Sequence, residues 1–184
     1  GGSPIADSSF KHKEASSLME MAGGSIGLPF AACLRMSDVG YVSAAQEKLE
    51  ISYNSIEAYC EALTPGLVEA YEPYRQFKPI EGNYQQLNDA ILQIENEFYS
   101  NIRPKRTSSS NRRPIHALRE NGIEYLEVRC IDLDPFEARG ISAEACYFID
   151  TFLLACAISK SPLDSPKELS STDKNQKLVA KTGR

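Results

Sequence analysis

Apolar and polar positions follow two different periods along this chain of 184 residues. From Gly122 to Pro135 the period is two. Leu126, Val128 and Cys130 fall on one face; Tyr125, Glu127, Arg129 and Ile131 fall on the other. The run is rich in β-branched and aromatic residues, and it predicts a strand opened by Gly122 and closed by Pro135, with the first face in a core. Residues 90–99 alternate too, with Leu92, Ile94 and Phe98 set against Gln93, Glu95, Glu97 and Tyr99. They predict a second strand. Residues 28–41 begin as a buried strand and end in a polar turn.

Elsewhere the period is that of a helix. Residues 54–63 place Ile56, Tyr59, Cys60 and Leu63 on one stripe, with Asn54 as the cap and Glu57 completing a capping box. Pro65-Gly66 ends that helix, and a second piece follows over Leu67–Tyr74. Shorter helices are predicted around Glu14–Met21 and over Pro114–Asn121. A longer one spans about 142–159, with Cys146, Ile149, Leu153 and Cys156 as its buried stripe. Residues 101–113 read as a basic, Ser-rich loop, and the polar tail from Ser161 reads as loop or fraying chain. Strands and helices mix without β-α-β alternation. That order predicts an α+β fold, an antiparallel sheet flanked by helices.

Composition narrows the function classes. A net charge of −5 and a pI near 5.2 provide no basic field for nucleic acid. The five cysteines are odd in number, form no C-x-x-C pair and in several cases sit in apolar periodic segments, so they read as buried thiols of a reducing compartment. The two histidines, His12 and His116, lie near no cysteine pair, which argues against zinc. The longest apolar run, Ala145–Ile158, is broken by Asp150 and is too short for a bilayer, and no signal peptide is evident. The expected setting is therefore the cytoplasm, away from membranes. The first residue is Gly rather than Met, and the last is Arg, as expected of a piece of something longer.

Three polar groupings stand out: Arg35 with Tyr41; Glu95, Glu97 and Tyr99; and Glu127 with Arg129. If their segments share one sheet, they line one cleft. A carboxylate there can hold a divalent cation, and a guanidinium two residues away can clamp a phosphate. The same pair on a solvent face needs no ligand at all. With no histidine base and no reactive cysteine context, the set argues against acyl hydrolysis. It suits magnesium-assisted phosphoryl transfer, with Arg103, Lys105 and Arg106 as a wall on the phosphate side. No Walker-type glycine loop is present.

Three segments resemble the proteobacterial glutamate–cysteine ligases. They are Leu34–Tyr41 (LRMSDVGY), Leu92–Tyr99 (LQIENEFY) continued by Ile102–Arg106 (IRPKR), and Gly122–Arg129 (GIEYLEVR). Asp132–Phe136 and the helix after Gly140 fit as well. The resemblance implies ATP- and Mg²⁺-dependent condensation of L-glutamate with L-cysteine through a γ-glutamyl phosphate, the first step of glutathione synthesis. It also implies a fold similar to that of glutamine synthetase. Position by position, it makes Glu127 the metal-binding glutamate, Arg129 the arginine that stabilises the transferring phosphoryl group, and Arg35, Tyr41 and Tyr99 the amino-acid pocket. Family members are more than twice this length, and most of their metal-binding carboxylates precede the matched stretch. Residues 1–184 are thus expected to be a partial catalytic domain, incompetent alone and completed by further sequence or a complementary chain. Two alternatives stay open: a non-catalytic amino-acid-binding or structural fragment or paralogue, and a γ-glutamyl ligase with another amine acceptor.

Overall fold

A computed structural model describes residues 5–6, 18–33, 35–37, 40, 42–107 and 112–183. In chain order the regular elements are β1 (Ile5–Ala6), β2 (Met19–Glu20), β3 (Ile26–Gly27), α1 (Ile56–Val68), β4 (Ile102–Lys105), α2 (Pro114–Asn121), β5 (Tyr125–Val128), α3 (Ala143–Ile158) and α4 (Pro166–Thr182), with short 3-10 turns between them. They fall into two compact units, Ser43–Cys130 on the one hand and Gly1–Val42 with Ile131–Arg184 on the other. Both units mix helices with antiparallel strands, as an α+β fold requires. The antiparallel pairing is divided between two small sheets, β1-β3-β2 and β4-β5.

In the unit Ser43–Cys130 the core forms where α1 meets α2 and the segment 90–99. Tyr59, Cys60 and Leu63 of α1 pack with Leu92, Phe98, Ile115 and Leu118. The cap of α1 is Ser55 rather than Asn54, because it is the Ser55 hydroxyl that reaches Ala58 N at 3.0 Å. The helix also runs through Pro65-Gly66 instead of ending there. Its last turn is held from outside. Gly66 O accepts from Leu92 N at 2.7 Å, and Glu69 O accepts from Ile91 N at 3.0 Å. The bare Cα of Gly66 leaves room for Leu92, since a Cβ there would stand 3.0 Å from Leu92 Cδ1 and 3.1 Å from Leu49 Cδ1. Beyond α1, a 3-10 turn at Glu72–Gln76 replaces the expected second helical piece.

Residues 90–99 are not a strand. The chain makes a 3-10 turn at Glu95–Glu97, which inverts the alternation at its centre: Ile94 is 45% exposed and Glu95 only 8%. The basic stretch 101–113 is not wholly loop either, because Ile102–Lys105 forms β4 and pairs antiparallel with β5. Residues 108–111 of that stretch lie outside the described residues. β5 is four residues long; its Leu126 is 43% exposed and Val128 and Cys130 are half-buried, so the face expected in a core is only partly covered here. A two-stranded ribbon has one neighbour per strand and leaves much of both faces open.

In the other unit, β3 is the centre of the small sheet, paired with both β1 and β2. The helix expected at Glu14–Met21 is replaced over Met19–Glu20 by β2; residues 14–17 lie outside the described residues. Residues 28–33 do not form a strand. Ala31 N turns back to Leu28 O, and the amides of Ala32 and Cys33 donate to Ala180 O of α4, so they do not enter a ladder. The tail from Ser161 is largely α4, closed by a full capping box between Ser165 and Glu168 with Pro166 in the first turn. α3 is capped by Ser142, as its position predicts. Its stripe is not buried, however. No residue of α3 is buried, and Cys146 and Cys156 are exposed where buried thiols are expected; Cys60 is buried, and Cys33 and Cys130 are half-buried.

An exposed helix this apolar has consequences in solution. Phe148 and Phe152 stack with ring centroids 6.0 Å apart, and they are 69% and 55% exposed. The isolated 184-residue polypeptide is expected to self-associate, and replacing both rings by Glu is expected to reduce that association. Sedimentation velocity of the two proteins checks this, and a clean monomer for the parent chain would contradict it. A second expectation concerns Tyr59, 4% exposed beside Tyr53. Burial, reinforced by Tyr53 and only partly offset by Arg103, pushes its phenol from 10.0 up to about 12. A raised folded-state value stabilises below the unfolded value and is lost as pH rises through the folded one. Stability should therefore fall between about pH 10 and 12, by on the order of 2–3 kcal/mol from Tyr59. Denaturant unfolding at dilute protein across that range should be less pH-dependent in Tyr59→Phe.

Candidate active site

Antiparallel pairing sets opposite residues on one face. The register Arg103↔Glu127 and Lys105↔Tyr125 therefore gathers Arg103, Lys105, Tyr125, Glu127 and, by alternation, Arg129 on one side of the β4-β5 ribbon. The pairing continues past the assigned strands, through Arg129 N to Asn101 O at 2.7 Å and Glu124 N to Lys105 O at 2.9 Å. Glu127 and Arg129 thus share a face, as the alternation predicts.

Glu127 sits between two cations. Its Oε1 is 3.0 Å from Arg129 Nε, and its Oε2 is 3.5 Å from Lys105 Nζ. All three side chains are partly buried, which strengthens charge interactions relative to open solvent. One carboxylate between two cations leaves the cluster with positive charge to spare, suited to a polyanion. Glu127 Oε2 is itself buried and accepts no hydrogen bond among the described residues; its approach to Lys105 is an ion pair without hydrogen-bond geometry. A buried hard oxygen with spare lone pairs fits one coordination position of a divalent cation. Among the described residues no group of three Asp, Glu, His or Cys side chains gathers as a complete metal site, so the rest of such a shell would come from phosphates, water or other carboxylates.

The other basic residues divide by role. Arg103 is 5% exposed. Its guanidinium donates to Glu95 O at 3.1 Å and Asn96 O at 3.0 Å, and its Nε is buried with no partner among the described residues. Arg106 donates to Asn121 O at 2.7 Å, at the C-terminus of α2, where a cation is favoured. Thr107 N donates to Glu124 at 2.9 Å and holds that carboxyl below the usual carboxylate range.

Glu95 departs most from its expected place. The alternation puts it on a solvent-facing strand surface, yet it is buried and its Oε2 accepts from Ile115 N at 2.8 Å. It caps α2 from a distant segment. The clue is in the sequence: α2 starts Arg113-Pro114, and the Arg113 side chain makes no cap bond, so the orphan amide of Ile115 needs another acceptor. Beside it lies an open cavity of about 380 Å³ whose lining includes Asn88, Gln93, Glu95, Arg112 and Arg113.

Of the expected amino-acid pocket, Tyr99 is 39% exposed just ahead of β4, and its amide donates to Gln46 Oε1 at 2.7 Å. Arg35 lies in the other unit, in a turn where its amide donates to Asp132 Oδ1 at 2.9 Å. Tyr41 lies outside the described residues. The three polar groupings do not lie on strands of one sheet: among the described residues only Glu127 of the set lies on a strand, with Arg129 continuing its pairing. The roles of Gln46 and Asp132 carried no periodic signal.

A sequence model described as glutamate–cysteine ligase matches residues 1–179. The chain is 43% identical over its whole length to the glutamate–cysteine ligase of Pseudomonas fluorescens, and 45% identical over 159 residues to that of Saccharophagus degradans. It spans 35% and 30% of those two proteins, about a third of their length. Among solved structures, it superposes on the Francisella tularensis glutamate–cysteine ligase in complex with AMP with a TM-score of 0.88 and 36% identity, covering 98% of this chain and 36% of that one. A bifunctional glutathione synthetase from Pasteurella multocida matches more loosely, with a TM-score of 0.51 and 28% identity over 80% of this chain and 15% of that one. No helix among the described residues is long and apolar enough to cross a membrane. The chain thus belongs to the glutamate–cysteine ligase family.

Proposed function

We propose that this chain carries part of the catalytic face of an ATP-dependent ligase that joins the γ-carboxyl of L-glutamate to the amino group of L-cysteine. The observation that carries the reading is the Lys105–Glu127–Arg129 cluster on the β4-β5 ribbon of a family member. In the first step a γ-carboxylate oxygen attacks the terminal phosphorus of ATP and ADP leaves, forming γ-glutamyl phosphate. In the second, the cysteine amine attacks the acyl carbon, phosphate departs and the nitrogen gives up a proton.

Both steps move negative charge among oxygens, and a ligase of this kind works mainly by positioning and charge neutralisation. Arg129 is the group proposed to meet the transferring phosphoryl oxygens, with a planar fork suited to them. Lys105 and Arg106 extend the positive wall toward the nucleotide. Arg103 serves from inside, holding the 95–97 turn against β4. Glu127 would supply one oxygen ligand to Mg²⁺, which when bound neutralises phosphate charge. Arg35 is proposed to hold a substrate carboxylate, and Tyr41 and Tyr99 to line the amino-acid pocket.

The chain spans about a third of its relatives, so the activity is assigned to the complete assembly. Further carboxylate ligands come from sequence outside these residues, in the same polypeptide or a complementary chain, and the cytoplasm is the proposed setting. The 3.0 Å Glu127–Arg129 pair also favours a second reading, in which the two only brace the ribbon.

Mutation separates the two. In the polypeptide encoded by the complete reading frame, a coupled assay of ADP release from glutamate, cysteine and Mg-ATP is expected to show losses of kcat/KM of about 10²-fold or more for both Glu127→Gln and Arg129→Ala. Retention of parental kcat/KM by both variants would assign the pair to bracing alone.

A further inference from the structure

We propose that Gln46 is a positioning residue for the amino-acid pocket, acting through Tyr99. The proposal rests on the reading above, in which Tyr99 lines that pocket.

Gln46 ends a 3-10 turn at Ala44–Gln46 whose Ala45 is buried. Its backbone is fixed on both sides, its amide donating to Ser43 O and its carbonyl accepting from Leu49 N, each at 3.0 Å. From this base the side chain crosses to a segment more than fifty residues away. Gln46 Nε2 donates to Glu97 O at 2.8 Å, and Gln46 Oε1 accepts from Tyr99 N at 2.7 Å. The orientation of the amide follows from its partners, since a carbonyl can only accept and an N–H can only donate.

The two bonds bracket Phe98, which is 6% exposed and belongs to the core. With Phe98 held inward, the next side chain, Tyr99, is turned outward and remains 39% exposed. The clamp therefore sets where the Tyr99 ring stands relative to the strand that begins three residues later. Arg103 holds the carbonyls of Glu95 and Asn96 just upstream, and Glu97 Oε2 accepts from Gln93 N at 2.8 Å, so the backbone leading to Tyr99 is held by side chains rather than by a strand partner.

Only glutamine fits this task. It offers a donor and an acceptor on one edge at the necessary reach. Glutamate has no donor for Glu97 O, asparagine is one methylene shorter, and methionine fills the space with neither bond.

The test uses the polypeptide from the complete reading frame, with L-glutamate, L-cysteine and Mg-ATP varied in turn. The variants are Gln46→Met, Gln46→Glu, Tyr99→Ala, and Gln46→Met combined with Tyr99→Ala; thermal unfolding is recorded for each. Gln46→Met and Gln46→Glu are expected to raise the KM of one amino-acid substrate roughly tenfold, with the KM of ATP within about twofold. In the Tyr99→Ala background the Gln46→Met effect is expected to disappear, because the two residues then act as one unit. Unchanged amino-acid KM values in both Gln46 variants, or additive effects in the combined variant, would overturn the proposal. So would failure of both Gln46 variants to fold, which would assign Gln46 to general stability. If Tyr99→Ala itself leaves both amino-acid KM values unchanged, it is the pocket role of Tyr99 that fails, and the positioning role falls with it.

Discussion

Buried backbone polar groups must find partners, and in residues 90–99 side chains supply many of them. Arg103 takes the carbonyls of Glu95 and Asn96, Gln46 takes the carbonyl of Glu97 and the amide of Tyr99, and the carboxylate of Glu97 takes the amide of Gln93. The side chain of Asn88 does the same for the amide of Ala90 and the carbonyl of Gln93. Leu92 and Phe98 can therefore enter the core without a strand ladder around them. A strand here would place Glu95 in solvent. The turn places it under α2 instead, where its carboxylate accepts from the helix's first free amide, that of Ile115.

This arrangement connects the core to the charged face of the β4-β5 ribbon. Arg103 has its Cα in β4 opposite Glu127, yet its guanidinium goes to the 95–97 turn and makes no ion pair with that glutamate. Glu127 is left to Lys105 and Arg129, and among the described residues one of its oxygens accepts no hydrogen bond. Both cations already balance the charge of Glu127, and Oε2 keeps lone pairs that a further donor or cation can use. Such an oxygen fits the ligand role proposed for this face, in a chain that spans about a third of the two relatives compared with it. The exposed α3 and the open side of the ribbon are surfaces of the same kind, apolar and without a buried stripe.

Much of the architecture is legible in the sequence. α2 and α3 fall on the stretches read as helices, α3 with its Ser142 cap, and Glu127 and Arg129 share a face because strand side chains alternate. The three motifs named the family that the comparisons show. The misreadings have local causes. Alternation over 90–99 imitates a strand although side chains take several of the carbonyls there, and Pro65-Gly66 imitates a helix end although Leu92 and Ile91 close the last turn from outside. The capping box at Ser165 and Glu168 was present in the tail, where overall polarity outweighed it.

Caps, breakers and periods act between residues a few positions apart, so the sequence alone determined which stretches form helices α2 and α3 and which way the side chains of β5 point. It also determined the family, because three long motifs in order are specific. The tertiary structure decided which polar groups are buried and whom they serve: Glu95 under α2, Arg103 against the 95–97 turn, Gln46 around Phe98. Those bonds join residues up to fifty-three positions apart. No local period encodes them, because they exist only once packing has brought a donor on one segment to an unsatisfied acceptor on another.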